Sequence, residues 1–128
     1  MWTYEQLTGR LLNDAGEVVA IGYSGNGEGK NNPHMESVHD AGPIPCGVYD
    51  IESPRDTTTH GPFVMPLNQE ISNTMYGRAG FLIHGDSVHA PGTASQGCII
   101  LARDIRQKIW ESGDRSITVV SGLSSWPR

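Results

Sequence analysis

Long hydrophobic runs are missing from this chain of 128 residues. Its longest apolar stretches, Val18-Val19-Ala20-Ile21 and Ile99-Ile100-Leu101-Ala102, are strand-sized. A helix needs ~20 apolar residues to cross a bilayer, so no transmembrane segment is expected. Positive charge is scarce as well: 9 Lys and Arg face 14 Asp and Glu, for a formal net charge of -5. Nucleic-acid binding draws on clustered cations that displace phosphate counterions, and this balance argues against it. Cysteine is nearly absent. Cys46 and Cys98 are too few to staple a small secreted scaffold, and their spacing fits no zinc-finger pattern. The first residues, Met1 to Gln6, carry neither the basic nor the apolar segment of a secretory signal, so synthesis in the cytoplasm without a signal peptide is expected.

Breakers are plentiful, with 16 Gly and 8 Pro separating short apolar bursts. Many short segments between Gly, Pro and Asn turns read as a β-rich domain spanning residues 1–128. Arg10 to Leu12 and Glu17 to Tyr23 flank Asn13-Asp14-Ala15-Gly16, a natural hairpin turn. Gly47 to Ile51, Phe63 to Met65, Phe81 to His84 and Ile117 to Val120 are further strand candidates. Helical period occurs once: Ile105, Ile109 and Trp110 share a face, Asp104 lies near the start and Gly113 makes a stop. These three apolar residues are expected in the core, and residues 121–128, with Trp126, as a polar tail. A mainly β fold with one packed helix is the simplest account.

The Gly/Asn-rich stretch from Ser24 to Pro33 invites a phosphate-binding reading that its spacing refuses. A P-loop requires Gly six positions before its Lys and Ser or Thr after it; around Lys30 those places hold Ser24 and Asn31. A dinucleotide fingerprint from Gly25 needs Gly where Lys30 stands, and the serine-hydrolase elbow lacks its last Gly at Asn26. The stretch reads as a loop.

Residues Phe81 to Leu101, FLIHGDSVHAPGTASQGCIIL, have the layout of a cysteine nucleophile. His84 closes an apolar strand and precedes Gly85; a Gly/Pro loop leads to Ser95-Gln96-Gly97-Cys98. A thiol of ordinary pKa, ~8.5, is scarcely ionised at neutral pH and needs a base to accept its proton. His84 could be that base if the loop folds Cys98 back to it. Amides around Gly97 and Cys98 could face the oxyanion of acyl transfer. Asp86, His89 and Gln96 are candidates for substrate contact in the same loop. His34, His39 and His60 read as exposed loop residues. Cys46 has three readings: a buried side chain at the start of a strand, a bystander thiol, or a disulfide partner that would silence Cys98.

This segment resembles the L,D-transpeptidase catalytic domain, whose motif is a strand-terminal His-Gly followed by Ser/Thr-His-Gly-Cys-Ile/Val-Arg. Gly42-Pro43-Ile44-Pro45-Cys46-Gly47-Val48-Tyr49-Asp50-Ile51 is similar to the Thr-Pro-x-Gly-x-Tyr/Phe-x-Ile strand of that family, and the resemblance covers most of residues 17–120. Trp2-Thr3-Tyr4, the Gly-Pro-Ile-Pro run and the short His-to-Cys loop resemble more specifically a divergent branch, the L,D-transpeptidase-like antibacterial effectors of the type VI secretion system. The resemblance implies a β-sandwich of short strands with one helix packed after the cysteine. It implies Cys98 as nucleophile, His84 as general base oriented by the Gly85 carbonyl, Ser95 as the motif hydroxyl and Gly97 as its glycine. Two positions depart from the motif: Gln96 replaces its second histidine, and Ile100 its arginine, which generally supports the site and its anionic substrate. Arg78 and Arg103 are candidates to substitute.

The chemistry so implied starts on a peptidoglycan tetrapeptide stem and passes through a thioacyl-enzyme. Water as acceptor gives L,D-carboxypeptidase activity, a free D-amino acid gives exchange, and a stem amine gives a crosslink. No metal or organic cofactor is called for. The implied setting is the periplasm of a rival cell, reached through the secretion apparatus, with a cognate immunity protein in the producer. Three alternatives remain open on the sequence: a catalytically silent peptidoglycan-binding module, a general cysteine peptidase, and a metal site at His84, Asp86, His89 and Cys98.

Overall fold

The computed structural model describes residues 1–123; Trp126 and the rest of the tail from 124 on lie outside the described residues. Within them the chain is mainly β with one helix. The strands are β1 (Trp2–Glu5), β2 (Arg10–Leu12), β3 (Val18–Ile21), β4 (Tyr23–Ser24), β5 (Gly47–Ile51), β6 (Arg55–Thr57), β7 (Gly61–Gln69), β8 (Leu82–His84), β9 (Ile99–Ile100) and β10 (Ser116–Val120), and α1 (Arg103–Glu111) lies between the last two.

Strand order is β3-β2-β1-β10-β5-β7-β8-β9-β4, with β6 paired to β7. Long strand β7 carries the bend: Leu67 to Gln69 pair with β5, whereas Met65 and Pro66 pair with β8. The opposite ends of the order, β3 and β4, are consecutive in the chain and separated only by Gly22. The sheet therefore folds over into two packed layers. Tyr4, Tyr49 and Ile117 from one layer share a buried cluster with Met65, Ile83 and Ile99 from the other. Burying each such side chain contributes ~1.5–3 kcal/mol, which makes this seam the main source of cohesion.

The β2–β3 hairpin forms as its turn residues demand. The Asn13 side-chain oxygen accepts from the Ala15 and Glu17 amides, and Gly16 takes φ 82°. The expected strand from Glu17 to Tyr23 is broken at Gly22 into two. The expected strand at Phe63 to Met65 is the middle of a longer one. Strand β1 went unread although Trp2 and Tyr4 alternate with Thr3 and Glu5; it pairs antiparallel with β2 on one side, and on the other with β10 from the far end of the chain, in parallel.

Helix α1 starts and stops close to where its period predicts, but its buried face differs. Ile109 is fully buried, Ile105 and Trp110 are only partly so, and the remaining place on that face belongs to Arg106, 4% exposed. An arginine among apolar contacts is the fold's first departure from simple patterning, and it adjoins the cleft described next.

Candidate active site

Two parallel strands set the geometry. Strands β8 and β9 pair with Ile83 opposite Ile99 and His84 opposite Ile100. Carried back one residue, this register sets Cys98 opposite Leu82, so Cys98 and His84 fall on the same face as diagonal neighbours. Ile83 and Ile99, pointing the other way, are fully buried and anchor both strands in the core. Cys98 and His84 open onto one cleft of about 1230 Å³, whose wall also includes Gln96, Asp86, His60 and Arg106. Among the described residues no hydrogen bond joins thiol to imidazole; such contacts often tighten only when substrate arrives.

The tautomer of His84 follows from the one hydrogen bond that its ring makes among the described residues. Nδ1 lies 2.8 Å from the Gly85 carbonyl oxygen, which can only accept, so Nδ1 carries the proton and Nε2 is left basic. Burial lowers the pKa of the ring from its usual 6.5; the Gly85 carbonyl opposes this, while His60 and Arg106 add to it. Burial raises the Cys98 thiol above its usual value, and neither the Leu82 amide nor the Arg78 charge outweighs it. The resting pair is thus a neutral thiol beside a neutral imidazole, not a preformed thiolate–imidazolium pair.

The turn that presents Cys98 is cross-braced. Ser95 is buried, and its hydroxyl accepts from the Gly25 amide at 2.8 Å and the Gly97 amide at 3.0 Å while donating to the Cys98 carbonyl at 2.6 Å. The expectation that Gly97 offers its amide to an oxyanion is therefore corrected: Ser95 holds that N–H. The Cys98 N–H has no hydrogen-bond partner among the described residues and is the amide free for that role. Ser95 uses its donor and both acceptor sites on backbone groups of the turn and of the Ser24 loop, which makes it a positioning residue. Gly97 sits at φ 135°, and a Cβ there would lie 2.5 Å from Arg78 Nη2, so only glycine fits. Arg78, itself buried, donates to the carbonyls of Glu36, Pro43, Gly42 and Gln96, tying the Gly-Pro run to the cysteine turn.

The Ser24 loop has a bracing role that its failed motifs concealed. Ser24 Oγ donates to the Gly97 carbonyl at 2.8 Å, and Asn26 Nδ2 donates to the Ser95 carbonyl at 2.9 Å. Asp86 lines the cleft, but its carboxylate closes the 86–94 loop by accepting from Tyr23 OH at 2.6 Å, from Ser87 N–H and from Gly92 N–H. Burial pushes this carboxyl up, yet those hydrogen bonds and Lys30 prevail and hold it below the usual range. His89 is exposed and off the cleft wall, so its expected substrate contact is not supported. Gln96 is exposed on that wall.

His60 is the reverse case. It is exposed, as expected, but it sits at the tip of the β6–β7 hairpin with its ring centroid 4.7 Å from that of His84. Nothing local in the sequence announces that contact. His34 and His39 are exposed. Both cysteines are free, so the disulfide reading of Cys46 falls. Cys46 is half-buried beside Gln6, and burial together with Glu36 pushes its thiol up to about 12. Among the described residues no three His, Cys, Asp or Glu side chains gather to hold a metal ion, which removes support for a site at His84, Asp86, His89 and Cys98. No helix among them is long and apolar enough to cross a membrane.

Ser95→Ala tests the bracing. It leaves buried amides at Gly25 and Gly97 without their acceptor, and a destabilisation of about 2–3 kcal/mol is expected by chemical denaturation. An unchanged midpoint would contradict the bracing role.

Residues 19–121 match the model of the Tlde1 domain, a family of type VI secretion effectors. No curated protein and no solved structure matches the chain.

Proposed function

The chain belongs to the Tlde1 domain family, and from that membership and the cleft we propose that it is a cysteine-dependent acyl-transfer enzyme acting on peptidoglycan tetrapeptide stems. The observation that carries the proposal is the placement of Cys98 and His84 on one face of two parallel strands, opening onto one cleft, with His84 Nδ1 tied to Gly85.

In this reading His84 Nε2 takes the Cys98 proton as Sγ attacks the carbonyl at the L-centre of diaminopimelate. The C–S bond forms, and the oxyanion is met by the Cys98 amide. Collapse breaks the C–N bond, and the His84 imidazolium returns the proton to the departing amine of D-Ala. Water then attacks the thioester, again with His84 as base, and the restored thiol leaves; a free D-amino acid in place of water gives exchange. Ser95, Gly97 and Arg78 hold the turn, and Gln96 contacts substrate at the rim. We further propose that residues 1–128 act as one catalytic unit in the periplasm of a target cell after secretion, and that the producer holds an immunity protein.

Tetrapeptide muropeptides incubated with the protein, with and without D-Met, test this by mass spectrometry. Loss of D-Ala, or its replacement by D-Met, is expected. Intact tetrapeptide with reduced Cys98 would sink the enzyme reading and favour a binding module.

The neutral resting pair also sets the pH dependence. A His84 pKa held below 6.5 means that activity is lost only as pH falls through that lower value. A Cys98 thiol held above 9.0 leaves the pair intact through neutral pH. Plots of kcat/KM against pH should show a plateau across neutrality with its acid limb below 6.5. An acid limb above that value would contradict the assignment. Alkylation of Cys98 by iodoacetamide should likewise climb with pH, without the acid-side plateau of a thiolate–imidazolium pair.

A further inference from the structure

Arg106 is a buried cation without a buried anion. It is 4% exposed, and its guanidinium is held by three backbone carbonyls: Nε donates to Phe63, Nη2 to Pro62 and Nη1 to Leu101. Carbonyls satisfy hydrogen bonds but carry no net charge, and no carboxylate forms an ion pair with Arg106 among the described residues. Arg103, three residues earlier on α1, worsens matters. It lies over the Phe63 ring and, after burial itself, is what lowers the Arg106 pKa. Asp86, one of two aspartates on the same cleft wall with Asp40, has its carboxylate engaged in its own loop. Burying an unpaired charge costs several kcal/mol.

The backbone is bent to hold this cation. Phe63 sits at φ 55°, in the left-handed region where a non-glycine residue is strained. That kink lies at the start of β7, where Pro62 and Phe63 present their carbonyls to the guanidinium. The cation also opens onto the cleft. Arg106 is part of its wall, and a Cβ built on Gly85 would come 2.9 Å from Arg106 Nη1, so Gly85 keeps the guanidinium next to the His84 backbone. A guanidinium has five N–H donors, and the three carbonyls leave it unfilled.

We propose that Arg106 is the carboxylate-binding residue of the cleft and takes the free α-carboxylate of the amino acid released from the stem. This rests on the acyl-transfer reading for the identity of the ligand, but not for the existence of the cation site. His84 must stand within reach of the scissile nitrogen to protonate it. In an α-amino acid the carboxylate carbon is two bonds from that nitrogen. A cation just past His84 is therefore where a C-terminal carboxylate falls, whereas Arg78 lies on the Cys98 side. The consequence is specificity for chain ends: the enzyme acts on the last residue of a stem and passes over internal bonds.

Two stem peptides decide this, one ending in D-alanine and one in D-alaninamide. Wild-type kcat/KM should favour the free acid by about 100-fold, since a site built around a charged hydrogen bond rejects the ligand lacking it. In Arg106→Gln that preference should collapse toward unity; in Arg106→Lys, which keeps the charge and loses the fork, it should fall only partly. Arg106 holds three carbonyls, and the wild-type comparison of acid with amide stands even where a variant fails to fold. A second arm titrates Cys98→Ala with both peptides by calorimetry, where tighter binding of the acid by at least about 10-fold is expected. Equal turnover of acid and amide overturns the proposal and leaves the acyl-transfer reading intact. Selective binding of the acid with no wild-type turnover supports the carboxylate site and overturns the acyl-transfer reading. Equal or absent binding of the two peptides overturns the carboxylate site.

Discussion

Replacing Cys98 with serine is expected to lower the proposed turnover of tetrapeptide stems by a factor on the order of 10³ or more and to leave the fold intact. The size of the effect follows from the resting state of the pair. Burial already holds the thiol protonated and keeps His84 a weak base. A thiol can still be ionised by such a base during attack, because its proton is comparatively acidic; an alcohol is far less acidic, and a histidine backed by the Gly85 carbonyl and not by a carboxylate is poorly equipped to activate it. The fold should not register the change. Cys98 is half-buried, its backbone carbonyl rather than its sulfur is what Ser95 holds, and oxygen for sulfur alters little volume. Thermal denaturation of Cys98→Ser alongside wild type checks this, and a melting point lowered in step with activity would mean that the thiol serves structure instead.

Loss of His84 is the second large effect. His84→Ala should lower kcat/KM by about 10²–10⁴-fold, the usual contribution of a positioned base. A change in pH profile should accompany it and separates a base from a bystander. Without the imidazole, attack depends on thiolate formed in bulk solvent, so residual activity should rise with pH toward the raised thiol pKa in place of the wild-type plateau. His84→Ala also removes the ring against which His60 packs, so His60→Ala is the matching control. That substitution touches only the second ring and should shift the acid limb without removing it. A variant of His84 that kept the wild-type plateau would exclude it as the base.

What the sequence made legible was local. The β2–β3 turn, strand β5, helix α1 and the His-Gly and Ser-x-Gly-Cys segments all follow from residue type and spacing within about ten positions. Features that depend on distant pairing were not legible. Strand β1 is short, and its pairing with β10 joins the two ends of the chain. The Ser24 loop carries no motif because its function is to brace Ser95 and Gly97, some seventy residues away, through hydrogen bonds that any small polar loop could make. His60 reaches His84 only because the β6–β7 hairpin folds over β8.

Arg106 is different, since its signal was present. It shares a helix face with Ile105, Ile109 and Trp110, where a charged residue is buried only if something compels it. Reading that face as core and stopping at its apolar members hid the cation. Gly97 shows the opposite error. Its place in the motif pointed to an oxyanion amide, but the neighbouring hydroxyl of Ser95 already holds that N–H, a detail of side-chain direction that no spacing encodes.

The central claim is that Cys98 itself becomes acylated, and intact-protein mass spectrometry of a rapidly quenched reaction tests it most directly. Wild-type protein mixed with tetrapeptide donor should gain the donor's mass less one alanine, and digestion should place the adduct on the peptide containing Cys98. Hydroxylamine should remove it, as it does a thioester, and Cys98→Ser should never acquire it. An unmodified Cys98 peptide during ongoing release of D-alanine, or release that persists in Cys98→Ser, would contradict the account.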